Sequence, residues 1–382
     1  MTDTPAPLRW DLFCRVVDNL GDAAVMWRLA RQLSIEHGCV VRLMIDQPAV
    51  LQRLVPGAAP GRRVDGVQIE QMPDEAGAED AARADGSVDV VVTGFHAALP
   101  PSYRRSMAPQ RPVWVNLEYL SAEDWIADFH RLPSPQPDGL TEHYFYPGFT
   151  ATSGGLLREA DLIARRDVFQ KDPVNRRRFL ASHGIKRRAG ETTASLLCYP
   201  DAPLDALAHR LTHSRAHLHL VVPQGAAAVA SDAQSLAGAS GGRLRISRIP
   251  FLPQQEYDQL LWSCDLNFVR GEDSLVRAIW SARPFVWQIY VQSAAAHLNK
   301  LEAFLRLLGP GPLANAMRWW NRAGDADASS LVELLEQPGR AAADLAPLLR
   351  LATSPDLTSR LLAFVVSVRR QNLPAVDKSA KL

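Results

Sequence analysis

No apolar run in this chain of 382 residues reaches the roughly 20 residues that a membrane-spanning helix requires. The first residues, with Asp3, Pro5 and Pro7, lack the basic segment and apolar core of a secretory signal. Cysteine is scarce. Cys14, Cys39, Cys198 and Cys264 are scattered, three of them inside apolar runs, which suits small core residues in a reducing compartment and argues against a disulfide frame. A cytoplasmic location is therefore expected. A surplus of one charge is missing as well. Lys and Arg number 42 against 41 Asp and Glu, a net charge of +1, so no bulk attraction to nucleic acid or membrane is indicated and neither is expected as a partner. Any charged partner must be met by a local patch. Neither Gly-x-Gly-x-x-Gly nor the Gly-Lys-Ser/Thr ending of a phosphate-binding loop occurs, which disfavours a nicotinamide dehydrogenase. No Ser-His-Asp or nucleophilic-cysteine signature stands out.

What is present is an ordinary globular composition, 47% hydrophobic and 22% charged, at a length that suits two domains. Strand-like runs at residues 8–17, 40–45, 67–72, 88–94 and 112–117 alternate with helical patterns such as 23–32 and 48–54. That alternation predicts a mainly parallel sheet flanked by helices. The second half repeats it, with strands at 193–198, 218–222, 244–249, 266–269 and 285–289 and helices at 204–213, 255–263, 274–281 and 295–308. Residues 224–242, rich in Ala, Ser and Gly, read as a loop with room for a short helix. After about residue 310 only helical patterns remain, and the last, 359–370, is amphipathic and suited to docking. The organisation predicted is a Rossmann-like domain over residues 1–165, a linker over 166–190 that contains Asn175-Arg176-Arg177-Arg178, and a second Rossmann-like domain over 191–355. A terminal helix and tail, 356–382, would be free to pack back on the first domain. No sequence-level repeat accompanies the two halves.

The first apolar run breaks at Asp18-Asn19-Leu20-Gly21-Asp22 and passes at once into a helical pattern. Such turns lie at the carboxyl edge of an α/β sheet, where ligands bind. Two carboxylates, Asp18 and Asp22, stand there four residues apart. An acidic loop repels bare phosphate and suits a cation or proton transfer. A plainer reading stands beside it, in which Asp22 caps the helix and Asp18 closes the turn.

In the second half, Arg270-Gly271-Glu272-Asp273-Ser274 follows an apolar run and precedes a helix. Free backbone N–H groups and the helix dipole favour an anion at such a start, typically phosphate. Gly271 allows close approach, Arg270 adds a charged donor and Glu272 suits paired ribose hydroxyls. A capping turn with Asp273 and Ser274 as caps is the plainer alternative. Tyr199, Phe251, Gln254 and Tyr257 fall at neighbouring strand ends and turns, and a ring face with a side-chain amide is what a pyrimidine needs. Tyr290 ends the next strand, with its hydroxyl available to a phosphate. His209, His213, His217 and His219 cluster in sequence, but no Cys or Glu completes a metal site, and the helical pair reads as a solvated face. Glu118 and the pair Gly154-Gly155 also sit at strand ends or turns facing the predicted cleft.

Long strings of the chain resemble the bacterial elongation factor P arginine rhamnosyltransferases, the EarP family. They include Trp10-Asp11-Leu12-Phe13-Cys14-Arg15-Val16-Val17-Asp18-Asn19-Leu20-Gly21-Asp22 and Trp27-Arg28-Leu29-Ala30-Arg31-Gln32-Leu33. Asn116-Leu117-Glu118-Tyr119-Leu120-Ser121-Ala122-Glu123, Tyr146-Pro147-Gly148-Phe149 and Gly154-Gly155-Leu156-Leu157-Arg158-Glu159 add to them, as do the Arg270–Ser274 string and Pro284-Phe285-Val286-Trp287-Gln288-Ile289-Tyr290. The resemblance implies an α/β GT-B glycosyltransferase, two Rossmann-like domains facing across a cleft. It implies inverting transfer of rhamnose from dTDP-β-L-rhamnose to an arginine of elongation factor P. By that likeness Asp22 is the general base and Asp18 a second essential carboxylate. Glu272, Asp273 and Ser274 hold ribose and diphosphate with support from Arg270, Tyr199, Phe251, Gln254 and Tyr257 hold thymine, and Tyr290 reaches the diphosphate. No cofactor or metal is implied. The chain departs from the family pattern at Leu197, where a second aromatic near Tyr199 would be expected. Two other readings remain in play: a GT-B enzyme with a lipid or small-molecule acceptor, and a nucleotide-sugar-binding module without turnover.

Overall fold

Strands that are buried on both faces, such as Val90–Gly94 and Val113–Leu117, have every residue in the core, and that is the signature of a parallel sheet covered by helices. The computed structural model describes residues 6–17, 20–75, 77, 86–225, 233–292, 295–324 and 326–372. Asp18 lies outside the described residues.

The first sheet contains β1 (Arg9–Cys14), β2 (Val40–Ile45), β3 (Arg63–Val64), β4 (Val67–Gln71), β5 (Val90–Gly94), β6 (Val113–Leu117), β7 (Pro133–Pro135) and β8 (Thr141–Phe145). Their order is β3-β4-β2-β1-β5-β6-β8-β7. All neighbours are parallel except β3 with β4 and β7 with β8, which close the two edges as short antiparallel pairs. The second sheet contains β9 (Glu191–Leu196), β10 (His217–Pro223), β11 (Leu244–Ile249), β12 (Leu266–Arg270) and β13 (Phe285–Gln288), in the order β11-β10-β9-β12-β13, all parallel. Strand order reverses between β1 and β5 in one sheet and between β9 and β12 in the other. The turns after β1 and β12 are therefore both at switch points, where doubly wound sheets open a crevice.

Three strands were not legible in the sequence. β3 and β7 are two and three residues long, and β7 is Pro-Ser-Pro, tolerable only because it lies at an edge. β8 is Thr-Glu-His-Tyr-Phe, mostly half-buried, with no apolar run to mark it. The first strand also ends at Cys14 rather than at Val17, leaving 15–17 to the loop.

The stretch read as a linker carries two helices, Leu162–Lys171 and Pro173–Ser182, that lie on the second domain. Asp172 caps the second by accepting from Val174 N at 2.8 Å, with Pro173 at the first helical position. Arg166 and Gln170 donate to the carbonyls of Trp280 and Ser281. The C-terminal helix, Leu357–Asn372, crosses back. It buries Leu357, Leu361, Phe364, Val365 and Val368 in the same core cluster as Leu12, Leu33 and Phe145, and Thr358 donates to Gln32 at 3.0 Å.

Candidate active site between the domains

The helix Gly21–Ile35 starts directly after the acidic loop, and Asp22 lies in its first turn, 3% exposed. Its Oδ2 accepts from Val17 N at 2.8 Å, so the carboxylate pins the loop that leaves β1. Strand β5 comes close to this helix. A Cβ at Gly94 would stand 2.5 Å from Met26 Sδ, so any larger residue at the strand end would have to displace the Met26 side chain.

At the ends of β5 and β6, beside this loop, Phe95 and His96 both hold left-handed backbone, φ 55° and 58°. Such strain in non-glycine residues persists only where surrounding contacts impose it. Here Asn116 imposes it: its Oδ1 accepts from His96 N at 3.1 Å, and its Nδ2 donates to Glu118 Oε1 at 2.7 Å. The same Nδ2 lies 3.1 Å from His96 Nδ1, and His96 Nε2 lies 2.9 Å from Glu118 Oε1. The amide orientation makes Nδ1 the acceptor and leaves Nε2 to donate to the carboxylate. Glu118 is 6% exposed, and burial raises its carboxyl above the usual range against the pull of His96.

On the opposite wall the helix Gly271–Ser281 begins three residues before the expected start, placing Glu272, Asp273 and Ser274 in its first turn. Gly271 has φ 64°, the left-handed conformation that lets β12 turn directly into the helix. Glu272 reaches across to the first domain: Oε2 accepts from Leu120 N at 2.7 Å, while Oε1 takes Lys300 Nζ at 2.8 Å. Burial raises its carboxyl, Lys300 opposes the rise, and Asp22 adds to it. Ser274 Oγ accepts from Arg270 N at 3.1 Å and donates to Arg270 O. Arg270 Nη1 donates to Cys198 O at 2.9 Å, and its guanidinium lies 4.8 Å over the Tyr199 ring.

Asp273 is engaged differently from the ligand role implied for it. Oδ1 accepts from Arg28 at 2.9 Å and Oδ2 from Arg277 at 2.8 Å. Arg28 also pairs with Glu159 at 2.7 Å, and Arg277 with Asp258 at 2.8 Å. This buried chain of five charges ties the Asp22 helix to the Glu272 helix. Burial opposes the charge of Asp273 and of Glu159, yet the arginines hold both carboxyls below the usual range. Asp258, at the end of the chain, is raised by burial despite Arg277.

Between these walls lies a cleft of about 750 Å³, its open mouth included. Leu20, Gly21 and Ala24 line it from the first domain. Phe251, Gln254, Tyr257, Arg270, Glu272, Asp273 and Ser274 line it from the second, so seven of the candidate residues converge. Gln254 Nε2 donates to Ala24 O at 3.3 Å, and Arg53 stacks 4.9 Å over Phe251. Tyr257 Oη is buried with no hydrogen-bond partner, and burial pushes the phenol well above its ordinary range. A buried hydroxyl in this state is costly unless a ligand atom completes it. Leu197 lines the cleft where a second aromatic was expected. Asp22, Tyr199 and Tyr290 are not among the residues that line it. Tyr199 is 8% exposed beneath Arg270, and Tyr290 stands at the surface, edge-on to Tyr199 at 5.6 Å. Among the described residues no group of three His, Cys, Asp or Glu side chains is placed to hold a metal ion, and no helix is long and apolar enough to cross a membrane.

Sequence reasoning did not single out Arg28, Arg277 or Lys300. The first two did leave a signal, a charge inside the apolar runs Trp27-Arg28-Leu29 and Val276-Arg277-Ala278.

Residues 10–366 match the family model of the elongation factor P rhamnosyltransferase EarP. A protein-arginine rhamnosyltransferase of Pseudomonas aeruginosa is 45% identical over 334 residues, 82% of this chain and 87% of that protein. A solved structure described as the structural basis for EarP-mediated arginine glycosylation of translation elongation factor EF-P is 30% identical. It superposes with a TM-score of 0.60 over 96% of this chain and 99% of its own. MurG of Acinetobacter baumannii shares the two-domain architecture at 11% identity, with a TM-score of 0.54 over 96% of this chain and 100% of its own.

Proposed function

This chain belongs to the elongation factor P rhamnosyltransferase family and is a GT-B glycosyltransferase; from that premise we propose that it moves rhamnose from dTDP-β-L-rhamnose to an arginine side chain of elongation factor P, with inversion at the anomeric carbon. The observation that carries the proposal is the meeting of two unlike surfaces across one cleft. The start of the Asp22 helix, with Leu20, Gly21 and Ala24, lies on one side, and the helix start with Arg270 and Glu272 on the other.

Inversion requires one displacement. A guanidinium nitrogen of the acceptor attacks the anomeric carbon as the bond from that carbon to the diphosphate oxygen breaks, and the electron pair leaves with dTDP. Negative charge grows on the diphosphate. The N–H groups that open the Gly271–Ser281 helix and the Arg270 guanidinium are placed to stabilise it. The scheme calls for no metal. A guanidinium titrates above about 12 and its lone pairs are delocalised, so no carboxylate deprotonates it in the ground state. Asp22, with Asp18, instead holds the fork and polarises one nitrogen, and Asp22 takes the proton as the N–C bond forms. Glu272 binds ribose hydroxyls once it exchanges Leu120 N for them, with Ser274 beside it at the diphosphate. Phe251, Gln254 and Tyr257 hold thymine, Gln254 by releasing Ala24 O and Phe251 by releasing Arg53. Tyr199 acts from beneath Arg270, and Tyr290 reaches the diphosphate only by turning inward from the surface.

The test is to incubate the protein with dTDP-β-L-rhamnose and elongation factor P and weigh the acceptor. One deoxyhexose on one arginine is expected. Transfer to a lipid or small molecule with none to elongation factor P overturns the acceptor assignment. Asp22→Asn is expected to abolish transfer while dTDP affinity stays within about threefold, a change near 0.7 kcal/mol. Undiminished turnover removes Asp22 from the base role.

A further inference from the structure

An arginine side chain is too small to select one protein among many. Specific recognition of a folded partner takes about 800 Å² on each side, so more of the first domain must touch the acceptor than the carboxylate pocket. Only four aromatic side chains among the described residues are exposed: Tyr119, Trp125, Phe129 and Tyr290. Three of the four lie within residues 119–129, directly after β6 and Glu118.

They mark a ledge along this segment. Trp125 meets Phe129 edge-on at 5.8 Å and Tyr146 at 5.4 Å. Leu132, 44% exposed, extends it beyond Phe129, to whose carbonyl its N–H donates. At the cleft end Tyr119 stacks on Phe95 at 4.6 Å and lies under Lys300, the residue that holds Glu272. Glu118 N donates to Phe145 O at 2.9 Å, so the carboxylate at the end of β6 lies beside the strand end that carries Tyr146 of the ledge. The ledge is rimmed by Asp124, whose side chain is 99% exposed and lies 4.0 Å from Arg306 Nη2, and by Asp128.

Resting on the transfer reading above, we propose that the Tyr119–Trp125–Phe129–Leu132 ledge is the docking surface for the folded protein that carries the acceptor arginine. Tryptophan and tyrosine at the centre of a patch are the side chains that dominate protein interfaces. Exposed contiguous apolar surface marks such a site. The ledge belongs to the domain with the acidic loop and not to the one with the nucleotide cleft, so its occupant is the acceptor. A basic surface around the acceptor arginine complements Asp124 and Asp128. A second copy of this chain would bring those carboxylates against their own counterparts.

The test compares the whole protein with the variants Trp125→Ala/Phe129→Ala and Asp124→Lys/Asp128→Lys. KM and kcat for elongation factor P are measured, together with dTDP affinity by calorimetry and self-association by sedimentation. The aromatic pair is expected to raise KM for elongation factor P about 100-fold. The charge pair is expected to raise it about tenfold, with a weaker dependence on salt. Neither is expected to change dTDP affinity. If the aromatic pair loses dTDP binding through misfolding, the charge pair decides, since Asp124 and Asp128 are surface residues. An unchanged KM in the charge pair alongside a folded, unaltered aromatic pair overturns the proposal. So does dissociation of a self-dimer with no change in KM. Failure of the wild-type protein to modify elongation factor P at all is a separate result that overturns the transfer reading.

Discussion

His219 stands on β10 with no exposed surface, while His209, His213 and His217 are exposed. His217 opens the strand at the sheet's margin, whereas His219 lies in its fully buried interior. Its Nε2 lies 2.8 Å from Ser247 Oγ, and its Nδ1 has no hydrogen-bond partner. Burial, with Arg245 beside it, lowers the group to about 4 against the pull of Glu191. Unfolded histidine titrates near 6.5. Between those values the unfolded chain binds a proton that the folded chain refuses, so stability falls as pH drops, by up to about 1.4 kcal/mol per pH unit from this residue. His219→Gln should flatten the slope of urea-denaturation stability between about pH 4 and 6.5. An unaltered slope would show that other groups set it. The sequence exposed such residues unevenly. Arg270, Gly271 and Glu272 were legible because a glycine and two opposite charges interrupt a strand-to-helix transition. Arg28 was not, because its partner Asp273 is 245 positions away and only folding brings them to 2.9 Å.

The C-terminal helix shows what an element adds. Its apolar face reads from residues 359–370 as a docking surface, but periodicity does not say onto what. The structure seats Leu361 fully inside the first domain's core, against a sheet begun at Arg9. Leu361→Ala removes a branched side chain from a filled site and should cost about 2–5 kcal/mol. Thermal denaturation should show the loss, with dTDP affinity of the folded protein within about twofold of wild type because the nucleotide helix is untouched. A Tm within error of wild type would mean that the helix is not integral to that core. The helices of the arginine-rich stretch teach a related point. Its polar composition reads as a connection, yet Phe179 and Leu180 suffice to seat it against Val221, Ile249 and Leu260. β8 escaped notice for the opposite reason: a half-buried strand at a sheet margin needs no apolar run.

At the scale of the whole molecule, the two domains are held by buried charge. Glu159, Arg28, Asp273, Arg277 and Asp258 form one chain of ion pairs, with Arg28 1% exposed. Removing one member strands the others without water or counter-ion, a loss of about 3–5 kcal/mol for a buried pair. Arg28→Met should therefore destabilise the protein by that amount. It should also enlarge the radius of gyration in small-angle scattering, as the cleft opens more often. The same dimensions and the same stability would show that the ion chain does not hold the domains together. Most strands of both doubly wound sheets were legible from alternation, while β3, β7 and β8 carried no such signal. Two such halves also implied domains facing across a cleft, but not the contacts that fix them, such as Leu120 N with Glu272 Oε2.

The return of residues 357–372 to the first domain has a bearing on biosynthesis. A ribosome translates the first sheet well before this helix, so the amino-terminal unit keeps an open groove over Phe145 and Leu33 until residues 357–372 have emerged. The first domain's core is not complete without this helix. An amino-terminal fragment made without the terminal helix would emerge with that groove uncovered, and a useful dissection of this enzyme would carry the helix along, fused or supplied in trans.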